Sequence, residues 1–169
     1  IGAQAKNIIL PDSTEQNWVD MYRTQHEYVL VVFWDPHCGH CKKTLPDLYT
    51  QYKEKLRPID VEIFAVAKAT DSVLFADWKE YLAENDMDWV NVGLTKTVFE
   101  EAKKDARKFI PKFTTIESLN YADTYDVYAT PKVFLVDGER KFRGKQLSPD
   151  QIVDLVKQLK LVKERKTKG

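Results

Sequence analysis

The two cysteines of the chain, Cys38 and Cys41, lie directly downstream of its most compact apolar run. That run, Tyr28-Val29-Leu30-Val31-Val32-Phe33-Trp34, is short, β-branched and aromatic, the composition of a strand buried in a sheet. Cys38 through Leu56 then places Leu45, Leu48, Tyr49, Tyr52 and Leu56 on one stripe, the spacing of a helix packed on that sheet. Pro46 falls inside this helix and is expected to kink it, because its ring and missing N–H break the hydrogen-bond ladder. A Cys-x-x-Cys at a strand-to-helix junction therefore constrains both the architecture and the chemistry.

The chemistry follows from the placement. At a helix N-terminus, unpaired N–H groups and the macrodipole favour a thiolate at Cys38. The thiolate is the nucleophile, so a lowered pKa governs reactivity. Cys41, one turn on, lies on the same face and within reach of Cys38, placed to resolve a mixed disulfide from inside. Gly39 and His40 separate the pair. His40 and the preceding His37, when protonated, are expected to add positive charge beside Cys38, and Lys42 and Lys43 carry the same sign.

The 169 residues suffice for one domain with its own core, spanning 1–169. Lys plus Arg and Asp plus Glu are both 26, and this balance argues against nucleic acid or an acidic membrane as main partner. Two cysteines cannot staple a chain of this size, so they read as a site. No stretch approaches the roughly 20 apolar residues of a membrane span. The chain opens on Ile1, from which we expect a removed N-terminal segment, whether signal, lipid or membrane anchor, or further domain.

Other elements follow from periodicity. Residues 1–27 form an N-terminal extension, with a strand at Ala3–Leu10, ended by Pro11-Asp12, and a helical turn at Trp18–Tyr22. Val61–Ala67 reads as a second central strand, Val73–Leu82 as an amphipathic helix and Asp88–Val92 as a short strand. Lys132–Val136 is another strand, and Asp137-Gly138 turns the chain into a hairpin with Lys141–Gly144. Ser148-Pro149-Asp150 caps a last helix, with Ser148 at the N-cap and Pro149 at the first helical position. Val98, Phe99, Ala102, Ala106, Phe109 and Ile110 give residues 95–115 the stripe of a helical insertion, and 163–169 reads as a frayed basic tail. The order predicts a mixed central sheet flanked by helices on both faces. Trp18, Trp78 and Trp89 read as packing residues, and His26 as a surface residue.

Four features together resemble the thioredoxin superfamily, and within it the TlpA/ResA type of bacterial extracytoplasmic thiol–disulfide oxidoreductase. They are Phe33-Trp34 leading into Cys38-Gly39-His40-Cys41-Lys42, Pro46 five residues after the second cysteine, Thr130-Pro131 before the last strand pair, and the closing helix. The resemblance spans Ala3 to Leu161 and implies a thioredoxin fold with an N-terminal strand extension and a central helical insertion. It implies a cis Thr130–Pro131 bond lying against Cys38, a Thr130 backbone able to pair with a substrate strand, and Trp34 as an apolar wall for substrate. It further implies disulfide exchange with protein substrates, no cofactor, a membrane redox partner and a periplasmic or other extracytoplasmic location; a neutral, single-domain chain is by itself expected to be a monomer.

The chain also departs from the pattern. Thioredoxin carries a buried acid six residues before the first cysteine, where this chain has Val32. Many TlpA/ResA proteins place a Glu three residues after the second cysteine, where this chain has Thr44. Asp35, Glu62 or a water are the remaining bases for Cys41. Cys-Gly-His-Cys is the motif of protein disulfide isomerases, and its histidines argue for an oxidant, whereas the TlpA/ResA resemblance argues for a reductase. We expect the reductase direction. Three other functions use the same residues: a copper module built from His37, Cys38, His40 and Cys41, a peroxidase-like relative, and a redox sensor signalling through 95–115.

Overall fold

The computed structural model describes residues 1–168. Its seven strands are β1 (Ile9–Pro11), β2 (Trp18–Asp20), β3 (Tyr28–Trp34), β4 (Val61–Ala69), β5 (Val90–Thr95), β6 (Lys132–Val136) and β7 (Phe142–Lys145). The helices are α1 (Gly39–Gln51), α2 (Ser72–Asn85), α3 (Lys96–Lys104), α4 (Ile116–Leu119), α5 (Tyr121–Thr124) and α6 (Pro149–Lys168).

Every residue of β3 is buried, which puts this strand at the centre of a five-stranded sheet ordered β5-β4-β3-β6-β7. β3, β4 and β5 run parallel, and β6 and β7 are antiparallel additions, so the sheet is mixed. Side chains alternate between the faces. Leu30, Val32 and Trp34 point toward one core with Leu45 of α1, Trp78 of α2, and Ile152 and Val156 of α6. Val29, Val31 and Phe33 point into the second core with Leu10, Val98 of α3, Tyr121 and Tyr125.

The order of strands explains the long segment after β5. To reach β6 the chain must cross β4 and β3, and it does so over the second face. Residues 95–115 are the first half of this crossover, helical in α3 and in the 3-10 turn Ala106–Lys108, and Val98 is buried in the second core. The second half contains α4 and α5, two single-turn helices whose four residues each are too few to show a periodicity.

Several expectations need correction. Trp18–Asp20 is a strand paired with Ile9–Pro11, not a helical turn, and Met21–Arg23 follows as 3-10 helix. The hairpin is closed by Asp12, whose carboxylate accepts from the Thr14 hydroxyl at 2.6 Å and the Asn17 amide at 2.9 Å. The strand expected at Ala3–Leu10 is confined to Ile9–Pro11, while Ala3 and Ala5 bond to the β6–β7 hairpin. The single helix expected from Cys38 to Leu56 is α1, with Pro46 inside it, followed by a π turn at Tyr52–Leu56. Residues 163–168 of the expected frayed tail continue α6, and Gly169 lies outside the described residues. α6 starts as the Ser-Pro signal requires. The Ser148 hydroxyl accepts from Gln151 N–H at 3.3 Å, and the Gln151 side chain accepts from Ser148 N–H at 2.9 Å.

One glycine is dictated by packing. A Cβ on Gly93 of β5 would sit 3.0 Å from the Trp78 ring and from the Ala67 carbonyl oxygen. Its absence lets the Trp78 ring approach the sheet closely and dock α2.

Candidate functional site

β3 ends at Trp34, and a turn through Asp35, Pro36 and His37 delivers Cys38 to the N-cap of α1. The Asp35 carboxylate accepts from His37 N–H at 2.8 Å and its carbonyl from Cys38 N–H at 2.9 Å, which fixes the turn. Cys38 caps the helix itself: its Sγ accepts from the Cys41 N–H at 3.1 Å. Its thiol also donates to the Thr130 carbonyl oxygen at 3.5 Å, across the cis Thr130–Pro131 bond. Gly39 opens α1 with empty space around it, and His40 is exposed.

Both cysteines are free thiols, in unlike surroundings. Partial burial of Cys38 works against its charged form, but hydrogen bonds from Cys41, from the Thr130 side chain and from the Cys41 and His40 backbone outweigh it and hold the pKa below that of an ordinary thiol. Cys41 is fully buried, and its pKa is pushed up to about 11 by that burial and by its hydrogen bond with Cys38. A thiolate forms above its pKa, so Cys38 should alkylate with iodoacetamide at neutral pH, with a rate midpoint below that of free cysteine. Cys41 should stay unlabelled until the pH nears 11 or the chain unfolds. Peptide mapping of the labelled protein checks this, and equal labelling of both cysteines at pH 7 contradicts it.

The histidines act differently from expectation. The His37 ring is turned to α2, where its Nε2 lies 2.6 Å from the Asp77 carboxylate, so any charge it carries is countered there rather than offered to Cys38. His40 reaches Cys38 through its backbone N–H. Among the described residues, no three His, Cys, Asp or Glu side chains gather into a metal-binding group, so the four residues of the copper reading are not assembled as ligands.

Trp34 was expected as a substrate wall, but it is only 2 % exposed and packs on Tyr81, ring centroids 5.1 Å apart. Its position puts it on the α1 face of the central strand, where α1 and α2 cover it. Glu62 is excluded as a base for Cys41. It sits at the start of β4, beside Val29, while the dithiol lies past the opposite end at Trp34. There it accepts from the Tyr52 hydroxyl at 2.9 Å and pairs with His26 at 3.2 Å. The Thr44 hydroxyl donates to the His40 carbonyl at 3.0 Å, and Val32 is fully buried in the Cys41 cluster. The α2 residue Tyr81, whose phenol pKa is raised by burial and then by the Cys41 charge, brings a buried hydroxyl that has no hydrogen-bond partner among the described residues. Asp77 and Tyr81 were not singled out as site residues from sequence. Each lies some forty positions from the residue it faces, beyond the reach of local spacing rules.

No curated protein sequence matches the chain. Solved structures do. The thioredoxin domain of a thiol-disulfide oxidoreductase from Bacteroides vulgatus is 26 % identical, with a TM-score of 0.67 over 94 % of this chain and 96 % of that one. A thiol:disulfide interchange protein from Bacteroides sp. is 25 % identical, with a TM-score of 0.67 over 93 % and 88 %. A domain of a possible thiol-disulfide isomerase from Cytophaga hutchinsonii shares the fold at 22 % identity, with a TM-score of 0.72 over 98 % and 96 %. The thioredoxin-like domain family model matches residues 16–160, most of the chain and all of the sheet that carries the dithiol. On that match and this geometry, the chain belongs to the thioredoxin-like domain family and is a thiol–disulfide oxidoreductase.

Proposed function

We propose that the chain reduces disulfides of extracytoplasmic proteins, with Cys38 as nucleophile and Cys41 as resolving thiol. The observation that carries this is the split of the pair: a half-buried thiol with lowered pKa on the helix cap, and a buried one held near 11 behind it. Cys38 thiolate attacks a substrate disulfide and releases one substrate thiolate, forming a mixed disulfide. Cys41, once deprotonated, attacks the Cys38 sulfur, releases the second substrate thiol and leaves a Cys38–Cys41 disulfide. A partner dithiol then returns two electrons. We assign that role to a membrane redox protein, and no cofactor is needed. The Thr130 backbone and Pro131 would border the substrate strand at Cys38.

The reductase direction is supported by the same electrostatics. A strong oxidant needs a strongly stabilised thiolate, since that stabilises the reduced form. Here the His37 ring is occupied by Asp77, and the support for the Cys38 thiolate comes from hydrogen bonds rather than an adjacent cation.

Equilibration in graded thiol/disulfide buffers, read through fluorescence of the tryptophan nearest the dithiol, measures the potential. We expect a two-electron couple below about −230 mV, the reducing side of the glutaredoxins. A value near or above about −180 mV would instead place the chain with the isomerases.

A further inference from the structure

Resolution requires a thiolate at Cys41, a sulfur whose pKa burial and the Cys38 bond push up to about 11. Its polar surroundings come from several elements. α1 brings Cys38, the turn after β3 brings the Asp35 backbone, and the loop before β6 brings the Thr130 side chain. α2 brings Tyr81. Asp77 and Tyr81 lie one turn apart on α2 and share a face. Asp77 reaches His37, the residue before Cys38, at 2.6 Å, and the Tyr81 ring packs on Trp34 with centroids 5.1 Å apart. That face of α2 therefore runs along the turn that presents the dithiol, and Tyr81 packs against the cluster that holds Trp34, Val32, Leu45 and Cys41.

The Tyr81 hydroxyl oxygen is buried and has no hydrogen-bond partner among the described residues, an arrangement that costs stability unless the group is used. The indole N–H groups of Trp34 and Trp78, in the same cluster, are also unpaired. Tyr81 differs from them in feeling the Cys41 charge and in having an O–H that rotates to follow it.

We propose that Tyr81 is the hydrogen-bond donor for the Cys41 thiolate and accelerates the resolving step by holding that thiolate as it forms. The proposal rests on Cys41 as the resolving thiol, as assigned above. In the resting dithiol, Cys41 is hydrogen-bonded with Cys38. Attack on a substrate draws the Cys38 sulfur into the mixed disulfide, and the substrate thiolate released in that step takes up the Cys41 proton. The phenol, whose own ionisation is pushed up by burial and by the Cys41 charge, keeps its proton and donates it in a charge-assisted bond to the Cys41 sulfur. The Cys41 thiolate attacks the Cys38 sulfur, the Cys38–Cys41 bond forms as the mixed disulfide breaks, and the second substrate thiolate leaves and is protonated by water.

Stopped flow with excess dithiobis(nitrobenzoate) and the reduced protein separates the steps. The first thiolate is released at a rate that scales with the disulfide concentration, and the second, from resolution, at a rate that does not. A hydrogen bond to a charged sulfur is worth roughly ten- to hundredfold in thiolate population, and the greater nucleophilicity of a more basic thiolate returns about half of that on a logarithmic scale. Tyr81→Phe should therefore slow the second phase about three- to tenfold at pH 7 and move its pH profile upward. The first phase and the reduction potential should be unchanged, and the melting temperature equal or higher, since an unpaired buried hydroxyl has been removed. Fluorotyrosine at position 81, a stronger donor of nearly the same shape, should speed the second phase. A second phase unchanged in rate and pH profile in Tyr81→Phe overturns the proposal. So does a slowing of both phases with a fall in melting temperature, which makes Tyr81 a packing residue. If Tyr81→Phe fails to fold, the fluorotyrosine protein decides alone, and an unchanged or slower second phase there overturns the proposal. Release that stops at one equivalent in the unmodified protein overturns the resolving role of Cys41 itself.

Discussion

Cys38→Ser is expected to lose disulfide exchange completely, and Cys41→Ser to accumulate one equivalent of mixed disulfide with substrate. The two outcomes differ because the thiols differ. Cys38 has the lowered pKa and the accessible position, so its sulfur alone can open a substrate disulfide. A serine hydroxyl there offers neither the anion nor the soft nucleophile. Cys41 is buried behind it and pushed up to about 11, so it acts only on a sulfur already bound at Cys38. Remove it, and the first step proceeds while the second has no nucleophile. Intact-protein mass spectrometry after mixing with a disulfide substrate reads both. A mixed disulfide on Cys38→Ser, or rapid turnover by Cys41→Ser, would reverse the assignment. The burial of Cys41 also sets the sign of the pH dependence: it disfavours the thiolate in the mixed disulfide too, so resolution should accelerate as pH rises, because the reactive form is the thiolate.

The largest effect on stability is expected at Trp78. This indole is fully buried, lies against Gly93 and anchors α2 to the sheet. Trp78→Ala should cost about 3–5 kcal/mol, the range for removing a buried aromatic. For a domain of this size the melting temperature should fall by roughly 6–20 °C. Trp78→Phe should cost far less. It keeps an aromatic ring over Gly93 and removes an indole N–H that is buried with no hydrogen-bond partner among the described residues. Calorimetry of the two variants checks the ordering, and an equal loss from both would contradict it. Because Asp77 precedes Trp78 on α2, loosening this anchor should also release the His37–Asp77 pair.

Much of the architecture was legible in local patterns. The apolar runs at Tyr28–Trp34 and Val61–Ala67 mark the two central strands, because strands buried on both faces leave no room for polar alternation. The Ser-Pro start of α6 and the Asp137-Gly138 turn were likewise readable, since caps and turns satisfy backbone groups within a few residues. The misread elements share a cause. Trp18–Asp20 becomes a strand because Ile9–Pro11 pairs with it, and α4 and α5 exist as the path of a crossover; neither depends on periodicity.

The same division runs through the site. A Cys-x-x-Cys after a buried strand determines that one thiol caps a helix and that the other lies a turn inside, because helix geometry alone puts them there. What each thiol then does was decided by tertiary contacts. The turn of His37 toward an aspartate 40 residues away, the burial that lifts Cys41, the covering of Trp34 by α1 and α2, and the packing of Tyr81 on Trp34 all join segments distant in the chain. Charge and solvation at a sulfur depend on what surrounds it in three dimensions, and spacing along the chain carries no record of that.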